Sequence, residues 1–306
     1  MRARALLCGL ALAACARSNA SILADLERDA SGRSGAALAD RRFPVEGPAH
    51  AVRLPMEEGR LPIVIGAANG VALPLIVDTG TSHLWLSGPA ARRVKMRLLP
   101  GEEREVTSPG YAERAQLGVV DRLDLGALRF GRGAALVSLR EQRSFWYHNL
   151  PGPDFGILGT SVLGHFRVTF DFARREVRLA PHGRDATGRA LLAPVAIGGT
   201  TRWFLVDSGA AHLFLEPWLA RDLGLISTRR AARHGTKAER AEDQVVTMVR
   251  LPEVTIAGRR FEDVRAGVVH TFDGDRQIGG LLGLAGFGPL VWTVDFGSRE
   301  LAVGDA

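Results

Sequence analysis

The sequence predicts an all-β protein built of two pseudo-symmetric lobes with a cleft between them. The chain has 306 residues, enough for two moderate domains, and its 36 glycines are typical of many short strands and turns. One short phrase occurs twice, as IVDTGTSHLWL at residues 76–86 and as LVDSGAAHLFL at residues 205–215. Each copy places an aspartate after an apolar strand, followed by a hydroxyl residue and a glycine. A duplicated unit therefore predicts the two lobes.

The N-terminal segment predicts export. Residues 1–15 contain two arginines and then an apolar stretch that is too short to span a bilayer. The letters LAAC ending at Cys15 resemble a bacterial lipobox, in which the cysteine is lipidated, and the alternative is ordinary signal cleavage after Ala20. We expect a lipid anchor on Cys15 and a location on the periplasmic side of the cell envelope. The other cysteine, Cys8, would leave with the signal peptide, so the mature protein would have no disulfide, cysteine nucleophile or cysteine metal site.

Residues 16–50 predict a linker between the membrane and the folded domain. This stretch is rich in Ala, Arg, Asp, Ser and Gly, with only a short helix-like piece near its start. We expect a tether that lifts the domain off the membrane. The alternative is a removable pro-segment.

The remaining chain divides into lobes at residues 51–184 and 185–306. When Asp78 is aligned with Asp207, the hairpin LPIVIGAANGVALPLIVD faces LAPVAIGGTTRWFLVD. Downstream, each copy has a strand, a turn at Gly126 or Gly258, and another strand. Further on, ILGTSVLGHFRVTFDFARREVRL faces LLGLAGFGPLVWTVDFGSRELAV without a gap. The unit of about 120 residues is too long for a solenoid repeat and predicts two lobes that meet as a pseudo-symmetric pair.

The repeated aspartates suggest a shared site to which each lobe contributes one carboxyl group. Two carboxylates a few ångström apart cannot both ionise cheaply, so they share a proton and their pKa values separate. The ionised Asp can then act as a general base on water while the protonated Asp polarises a carbonyl. This chemistry needs no metal and no cofactor. The hydroxyls of Thr79 and Ser208 could each bond to the opposite loop and lock the pair.

The repeated motifs resemble those of the aspartic proteases. Asp78-Thr79-Gly80 and Asp207-Ser208-Gly209 are each followed by an apolar-apolar-glycine element, and the resemblance covers residues from about 50 to the end. It implies that Asp78 and Asp207 are catalytic, that the rest of each loop supports them, and that the apolar-apolar-glycine element packs beneath the loop. The implied loop-support residues are Thr79, Gly80, Thr81, Ser208, Gly209 and Ala210, and the packing residues are Ile157, Leu158, Gly159, Leu281, Leu282 and Gly283.

The lobe size is similar to that of the retropepsin-like branch, whose members usually dimerise. The resemblance therefore implies a fused tandem protease that works as a monomer with two half-sites. Retropepsin-like motifs continue with Ala after the Gly; Ala210 keeps this residue, whereas Thr81 departs from it. Thr81 could donate a hydrogen bond to Asp78 and lower the pKa of that carboxyl. The flaps that cover substrate in this family are expected near Gly110 and Tyr111 and near Gly235 and Thr236, although Tyr111 is equally typical of a surface loop.

Other site classes are not indicated. His83 and His212 occupy equivalent places because the halves are duplicated, and we expect local packing rather than a metal site. Basic residues are spread along the chain, which has a formal charge of +6 but no long Lys/Arg run, so no nucleic-acid partner is expected. The sequence also lacks the HExxH, GxSxG and phosphate-binding glycine–lysine motifs.

The function that we expect is an aspartic endopeptidase that cleaves a protein or peptide substrate in the cell envelope. One alternative is a non-catalytic peptide-binding module with the protease fold. Both aspartates, both glycines and both hydroxyls are intact, which argues against this alternative. The other alternative is a hydrolase of peptidoglycan peptides, for which the basic charge is favourable.

Overall fold

The computed structural model describes residues 43–108, 111–138, 152–183, 186, 190–226, 246–272 and 276–306. The predicted signal peptide, Cys15 and most of the predicted tether lie outside these residues. Within them, no helix has the length and apolar character needed to cross a membrane.

The prediction of an all-β protein with two lobes is confirmed. The strands of the first lobe are β1 (Val45–Glu46), β2 (Val52–Pro55), β3 (Ile63–Ala68), β4 (Val71–Val77), β5 (Leu84–Leu86), β6 (Arg97–Ser108), β7 (Tyr111–Val120), β8 (Leu123–Leu125), β9 (Leu128–Phe130), β10 (Gly133–Ser138), β11 (Gly156–Leu158), β12 (Phe166–Asp171) and β13 (Glu176–Pro181). Those of the second lobe are β14 (Leu192–Ile197), β15 (Thr200–Asp207), β16 (Leu213–Leu215), β17 (Thr247–Ile256), β18 (Arg259–Val268), β19 (Ile278–Gly283), β20 (Val291–Asp295) and β21 (Glu300–Gly304). The helices are short: α1 (Gly88–Arg93), α2 (Thr160–Leu163), α3 (Pro217–Asp222) and a 3-10 turn at Ala285–Phe287.

The two lobes share the order of six strands, which are β3-β4-β11-β5-β10-β7 in the first lobe and β14-β15-β19-β16-β18-β17 in the second. The first lobe forms a ten-stranded sheet in the order β1-β9-β8-β3-β4-β11-β5-β10-β7-β6, and the second closes into the barrel β14-β15-β19-β16-β18-β17. In both lobes the strand that leads to the aspartate pairs in parallel with the apolar-apolar-glycine strand, as β4 with β11 and β15 with β19. The duplication seen in the sequence is therefore a duplication of topology.

The hairpin before each aspartate follows from its turn residues. Asn69 and Gly70 join β3 to β4 with φ values of 50° and 80°, and Gly198 and Gly199 join β14 to β15 with φ values of 57° and 76°. Two consecutive positive φ angles define the tight hairpin turn that asparagine and glycine adopt most readily. Each turn fixes the register of the strand that carries the aspartate.

A third sheet joins the lobes. It has the order β2-β13-β12-β20-β21, with β12 from one lobe antiparallel to β20 from the other. Thr169 pairs with Thr293, its equivalent in the repeat, and their hydroxyls are 3.2 Å apart. Because equivalent residues face each other here, the pseudo-twofold axis passes between these two threonines.

The end of the predicted tether belongs to the first lobe. Phe43 is fully buried in the main apolar core, and β1 pairs with β9 at the edge of the large sheet. A Cβ atom on Gly133 would lie 2.4 Å from the Phe43 ring, so the absence of a side chain there makes room for the phenylalanine. Burial of this ring, worth about 2 kcal/mol, anchors residues 43–46 against the lobe.

Candidate active site

Asp78 and Asp207 occupy the same position in their lobes. Asp78 directly follows β4, and Asp207 is the last residue of β15. The parallel neighbour supports each strand end: the Asp78 N–H donates to the Leu158 carbonyl at 3.0 Å, and Asp207 is in register with Gly283. Each aspartate is therefore held at the end of a buried strand rather than on a mobile surface loop.

Two hydroxyl groups lock the Asp loops to each other. The Thr79 hydroxyl donates to the Val206 carbonyl at 2.8 Å and accepts from the Ser208 N–H at 3.0 Å. The Ser208 hydroxyl reciprocates by donating to the Val77 carbonyl at 2.6 Å and accepting from the Thr79 N–H at 3.0 Å. Both side chains are fully buried, and all four bonds cross between lobes. This four-bond lock brings the two aspartates into one site.

The glycines allow the carboxyl groups to approach. A Cβ atom added to Gly80 would lie 2.7 Å from Cγ of Asp207, and one added to Gly209 would lie 2.5 Å from Oδ2 of Asp78. Each carboxyl therefore rests directly on the glycine of the opposite loop. This approach brings each carboxyl group close enough to change the pKa of the other.

The two carboxyl groups differ in their remaining partners. Oδ1 of Asp78 accepts from the N–H groups of Gly80 at 2.8 Å and Thr81 at 3.1 Å, while Oδ2 accepts from the Thr81 hydroxyl at 2.8 Å. Asp207 accepts from the Ala210 N–H at 3.0 Å, and Ala210 has no hydroxyl to add. The hydrogen bond that the sequence suggested for Thr81 is therefore present.

These surroundings divide the roles of the pair. Burial raises the pKa of Asp78, and the hydrogen bonds from Thr81 and Gly80 oppose this rise by stabilising its charged form. Burial raises the pKa of Asp207 well above its ordinary value, and the nearby carboxylate of Asp78 raises it further. Asp78 is thus the member that ionises first, and Asp207 is the member that keeps the shared proton.

The apolar-apolar-glycine elements lie directly beneath the Asp loops. The Thr160 N–H, next to Gly159, donates to the Thr81 carbonyl at 2.8 Å, and the Gly283 N–H donates to the His212 carbonyl at 3.2 Å. A Cβ atom on Gly159 would lie 2.2 Å from the His83 carbonyl, and one on Gly283 would lie 2.2 Å from the His212 carbonyl. Only glycine lets these backbones approach so closely. Leu158 and Leu282 are fully buried in the main core, and Leu281 and Ile157 pack in smaller clusters on the other face of their sheets.

The residues suggested for the flaps are only partly covered by the structure. Gly110, Gly235 and Thr236 lie outside the described residues. Tyr111 begins β7 and pairs with Ser108 at the end of β6, so it flanks the tip of a long hairpin. The flap assignment stays a prediction.

His83 and His212 differ despite their equivalent positions. Burial lowers the pKa of His83 to about 4, and its Nδ1 lies 2.6 Å from the Ser82 hydroxyl. Partial burial lowers the pKa of His212 as well, and the charges of Arg60 and Arg265 lower it further. Over the part of the chain that the structure describes, no group of three or more His, Cys, Asp or Glu residues is placed to hold a metal ion.

Two supporting residues were not identified from the sequence. Ser87 caps α1 by accepting from the Ala90 N–H at 3.1 Å, and its hydroxyl donates to the Pro153 carbonyl at 2.7 Å. At the equivalent position, the buried Glu216 accepts from the N–H groups of Thr271 at 2.6 Å and Phe272 at 2.9 Å. Each ties the start of a helix to the segment that precedes an apolar-apolar-glycine strand. The available signal was a polar residue just before a proline-containing helix start, nine residues after each aspartate.

Comparisons with known proteins agree with this geometry. A sequence model described as "Aspartyl protease" matches residues 64–162 and 193–285, which together make up more than half of the chain. The aspartic proteinase from Irpex lacteus has a similar structure, with a TM-score of 0.52 and 14% identity over 84% of this chain and 97% of that one. At this identity the likeness shows the fold alone.

Two further solved structures are more distant. A retropepsin-like aspartic protease from Rickettsia conorii aligns at 17% identity over 45% of this chain and 92% of its own, with a TM-score of 0.30. Basic 7S globulin from soybean aligns at 13% identity over 85% and 95%, with a TM-score of 0.44. No curated protein matches the sequence. The family model covers both Asp loops and both apolar-apolar-glycine elements, and the chain therefore belongs to the aspartyl protease family.

Proposed function

We propose that the protein is an aspartic endopeptidase that hydrolyses peptide bonds with water activated between Asp78 and Asp207. The single observation that carries the proposal is the pair of carboxyl groups that each rest on the glycine of the opposite loop, with Asp78 accepting a side-chain hydrogen bond that Asp207 lacks. The family membership supports a protease-type function.

In the proposed reaction, ionised Asp78 removes a proton from water while protonated Asp207 donates its proton to the carbonyl oxygen of the scissile bond. The water oxygen bonds to the carbonyl carbon and gives a tetrahedral diol. The C–N bond then breaks as the proton held by Asp78 passes to the leaving amine, and a hydroxyl proton of the diol returns to Asp207. The pair ends with one shared proton, as it began.

The donors on Asp78 contribute to this cycle before substrate arrives. Its two N–H donors and the Thr81 hydroxyl are fixed by the loop, so they need no reorganisation when charge develops. The lock at Thr79 and Ser208 holds the carboxyl groups at the distance that proton sharing requires.

We further propose that the enzyme acts on proteins or peptides at the periplasmic side of a bacterial envelope, anchored by lipid on Cys15. This part rests on residues 1–15 of the sequence. Membrane fractions of bacteria expressing the parent protein and a Cys15→Ser variant would test it. We expect the parent protein in the membrane fraction and the variant in the soluble fraction.

The activity is tested by incubating the protein with a mixed peptide library from pH 4 to 8 and reading the products by mass spectrometry. Asp78→Asn and Asp207→Asn variants are compared with an Asp222→Asn control. Asp222 is an exposed aspartate at the end of α3 and is paired with Arg276. We expect internal peptide bonds to be cut by the parent protein and the control but not by the two active-site variants. Binding of library peptides by a folded parent protein without any cleavage would instead favour the peptide-binding module.

A further inference from the structure

A cluster of basic side chains lies beside the second Asp loop. Its members are Arg60 from the segment before β3, His212 from the loop that carries Asp207, and Arg265 from β18. The charges of both arginines act on the His212 ring, which places all three side chains in one electrostatic neighbourhood.

Strand register brings Arg265 next to His212. The parallel pairing of β16 with β18 puts Leu213 opposite Ala266, so the preceding residues, His212 and Arg265, are also neighbours. Leu213 and Ala266 are buried in the main core. Because successive strand residues point to opposite faces, His212 and Arg265 lie on the other face of the sheet. That face also carries the apolar cluster of Ala210, Phe214 and Leu281, which adjoins the Asp loop.

Packing between lobes brings Arg60 to the same place. Ala211 of the second Asp loop packs against a first-lobe cluster that contains Leu61, Ile63 and Ile76. Arg60 directly precedes Leu61 and His212 directly follows Ala211, so both residues belong to the segments that meet at this contact. The three residues therefore come from both sides of the junction of the two lobes, and His212 lies five residues after Asp207 in the chain.

The arginines of this cluster have no acidic partner in the part of the chain that the structure describes. The acidic residue nearest along β18, Asp263, is paired with Arg250 instead. Arg250 also stands directly opposite Arg265 in the register of β17 and β18. Like charges opposite each other on a sheet do not stabilise it, so fold stability does not explain Arg265.

The first lobe differs at the matching place. The pairing of Leu84 with Ala135 puts Ala134 beside His83, where Arg265 lies beside His212. Ala134 is buried against Leu117 and Leu136. The positive charge at this position is therefore a property of the second lobe, and it makes the two sides of the proposed cleft chemically unequal.

We propose that Arg60, His212 and Arg265 form a subsite for an acidic side chain of the substrate, on one side of the scissile bond. The guanidinium groups of Arg60 and Arg265 are positively charged and planar, so they can donate paired hydrogen bonds to a carboxylate. The neutral imidazole of His212 can donate one more hydrogen bond. This inference rests on the proposed endopeptidase function and names its substrate class, which is peptides with a glutamate or aspartate at one fixed position.

The test uses fluorescent decapeptides in matched pairs with Glu or Gln at each of the three positions on either side of the central peptide bond. We expect a roughly fivefold higher kcat/KM for Glu at one position, and a smaller difference at high salt. Arg60→Gln and Arg265→Gln should each reduce this preference, and the double variant should remove it. Arg178→Gln on β13 is the control, because it removes one exposed arginine from the sheet that joins the lobes and should leave the preference intact.

Equal cleavage of the Glu and Gln peptides at every position, or a preference that survives in the double variant, would overturn the subsite while leaving the endopeptidase in place. If no peptide is cleaved, the proposed function fails separately. Fluorescence anisotropy of the same decapeptides on the Asp207→Asn variant then decides the subsite. The subsite is supported if a Glu peptide binds more tightly than its Gln partner and if this difference disappears when Arg60→Gln and Arg265→Gln are added to the variant. Equal binding of the Glu and Gln peptides rejects the subsite.

Discussion

The two Asp loops share their backbone and differ in their chemistry. The first loop offers Asp78 a hydroxyl from Thr81, whereas the second offers Asp207 backbone N–H groups from Gly209 and Ala210 and no hydroxyl at the equivalent position. Duplication thus keeps the strand, the turn and the hydroxyl lock, while single substitutions give one carboxyl the negative charge and the other the proton. The comparison teaches that a pseudo-symmetric fold can support a chemically asymmetric pair.

The largest effect should come from breaking the lock, which tests whether its two halves are equivalent. Ser208→Ala leaves the Thr79 N–H and the Val77 carbonyl buried without a partner, which should lower the free energy of unfolding by about 2–4 kcal/mol. Thr79→Val removes the reciprocal bonds and should cost a similar amount. Urea unfolding measures both. The control Thr79→Ser keeps the hydroxyl and should cost only about 1 kcal/mol for the lost methyl group. A large difference between the Ser208→Ala and Thr79→Val values would show that one lobe alone carries the lock.

The second prediction concerns the two glycines that lie against the carboxyl groups, Gly80 and Gly209, and asks whether both loops need the same close approach. Gly80→Ala would push a Cβ atom against Asp207, and Gly209→Ala would push one against Asp78. Because a displacement of about 1 Å in a catalytic group costs roughly a hundredfold in rate, we expect each variant to lose at least that much of its kcat/KM. Gly304→Ala, where a Cβ atom meets nothing within 4 Å, is the control and should be fully active. An active Gly80→Ala enzyme would contradict the close approach of the two carboxyl groups.

The third prediction concerns the Thr81 hydroxyl and the pH dependence of kcat/KM. Asp78 must be ionised, so activity rises as pH passes upward through its pKa. Thr81→Ala removes a bond to the charged form, which raises the pKa of Asp78 and should move the acid limb of the kcat/KM profile to higher pH. Ala210→Ser adds a hydroxyl beside Asp207, which should lower its pKa and move the alkaline limb to lower pH. Thr81→Ser is the control and should leave the acid limb in place. An acid limb that does not move in Thr81→Ala would refute the role given to this hydroxyl.

The smallest expected change in stability concerns two equivalent aspartates, Asp171 and Asp295, in the third sheet, which joins the lobes. Asp295 is hydrogen-bonded by Arg167 of the other lobe at 2.8 Å, whereas its equivalent, Asp171, is bonded by Arg174 of its own lobe. Because Arg167 is largely exposed, we expect Asp295→Asn to cost only about 1 kcal/mol and Asp171→Asn less than that.

The pKa of Asp295 is lowered, since burial is outweighed by the bonds to its charged form. Its contribution is therefore present above the unfolded-state pKa and is lost as pH falls through the lower folded-state pKa. Urea unfolding at pH 7 and pH 3 should show the gap between the parent protein and Asp295→Asn narrowing at the lower pH. A gap that widens there would refute the assignment.

The sequence predicted most of what is local or repeated. The aspartates, the hydroxyls of Thr79 and Ser208, and the hairpins at Asn69 and Gly198 are encoded within short windows, and the repeat shows which windows must meet. The sheet that joins the lobes was not predicted, because the pairing of Thr169 with Thr293 depends on two distant segments whose own patterns only indicate strands. The packing of Phe43 was missed because one apolar residue at the end of a polar stretch gives little local signal.

The different surroundings of the two histidines were also beyond the sequence. His83 and His212 lie in matching phrases, so the repeat predicts the same environment for both. The difference arises from burial, which acts more strongly on His83, and from the charges of Arg60 and Arg265, which act on His212. Neither effect is visible in the residues around the histidine itself.

The central claim is that Asp78 and Asp207 act as one proton-sharing unit. The most direct test is the kcat/KM of the parent protein, Asp78→Asn and Asp207→Asn on one cleaved peptide between pH 3 and 8, with circular dichroism verifying that all three are folded. We expect a bell-shaped profile for the parent protein and no detectable cleavage by either variant at any pH. Near-parental kcat/KM in either folded variant would contradict it.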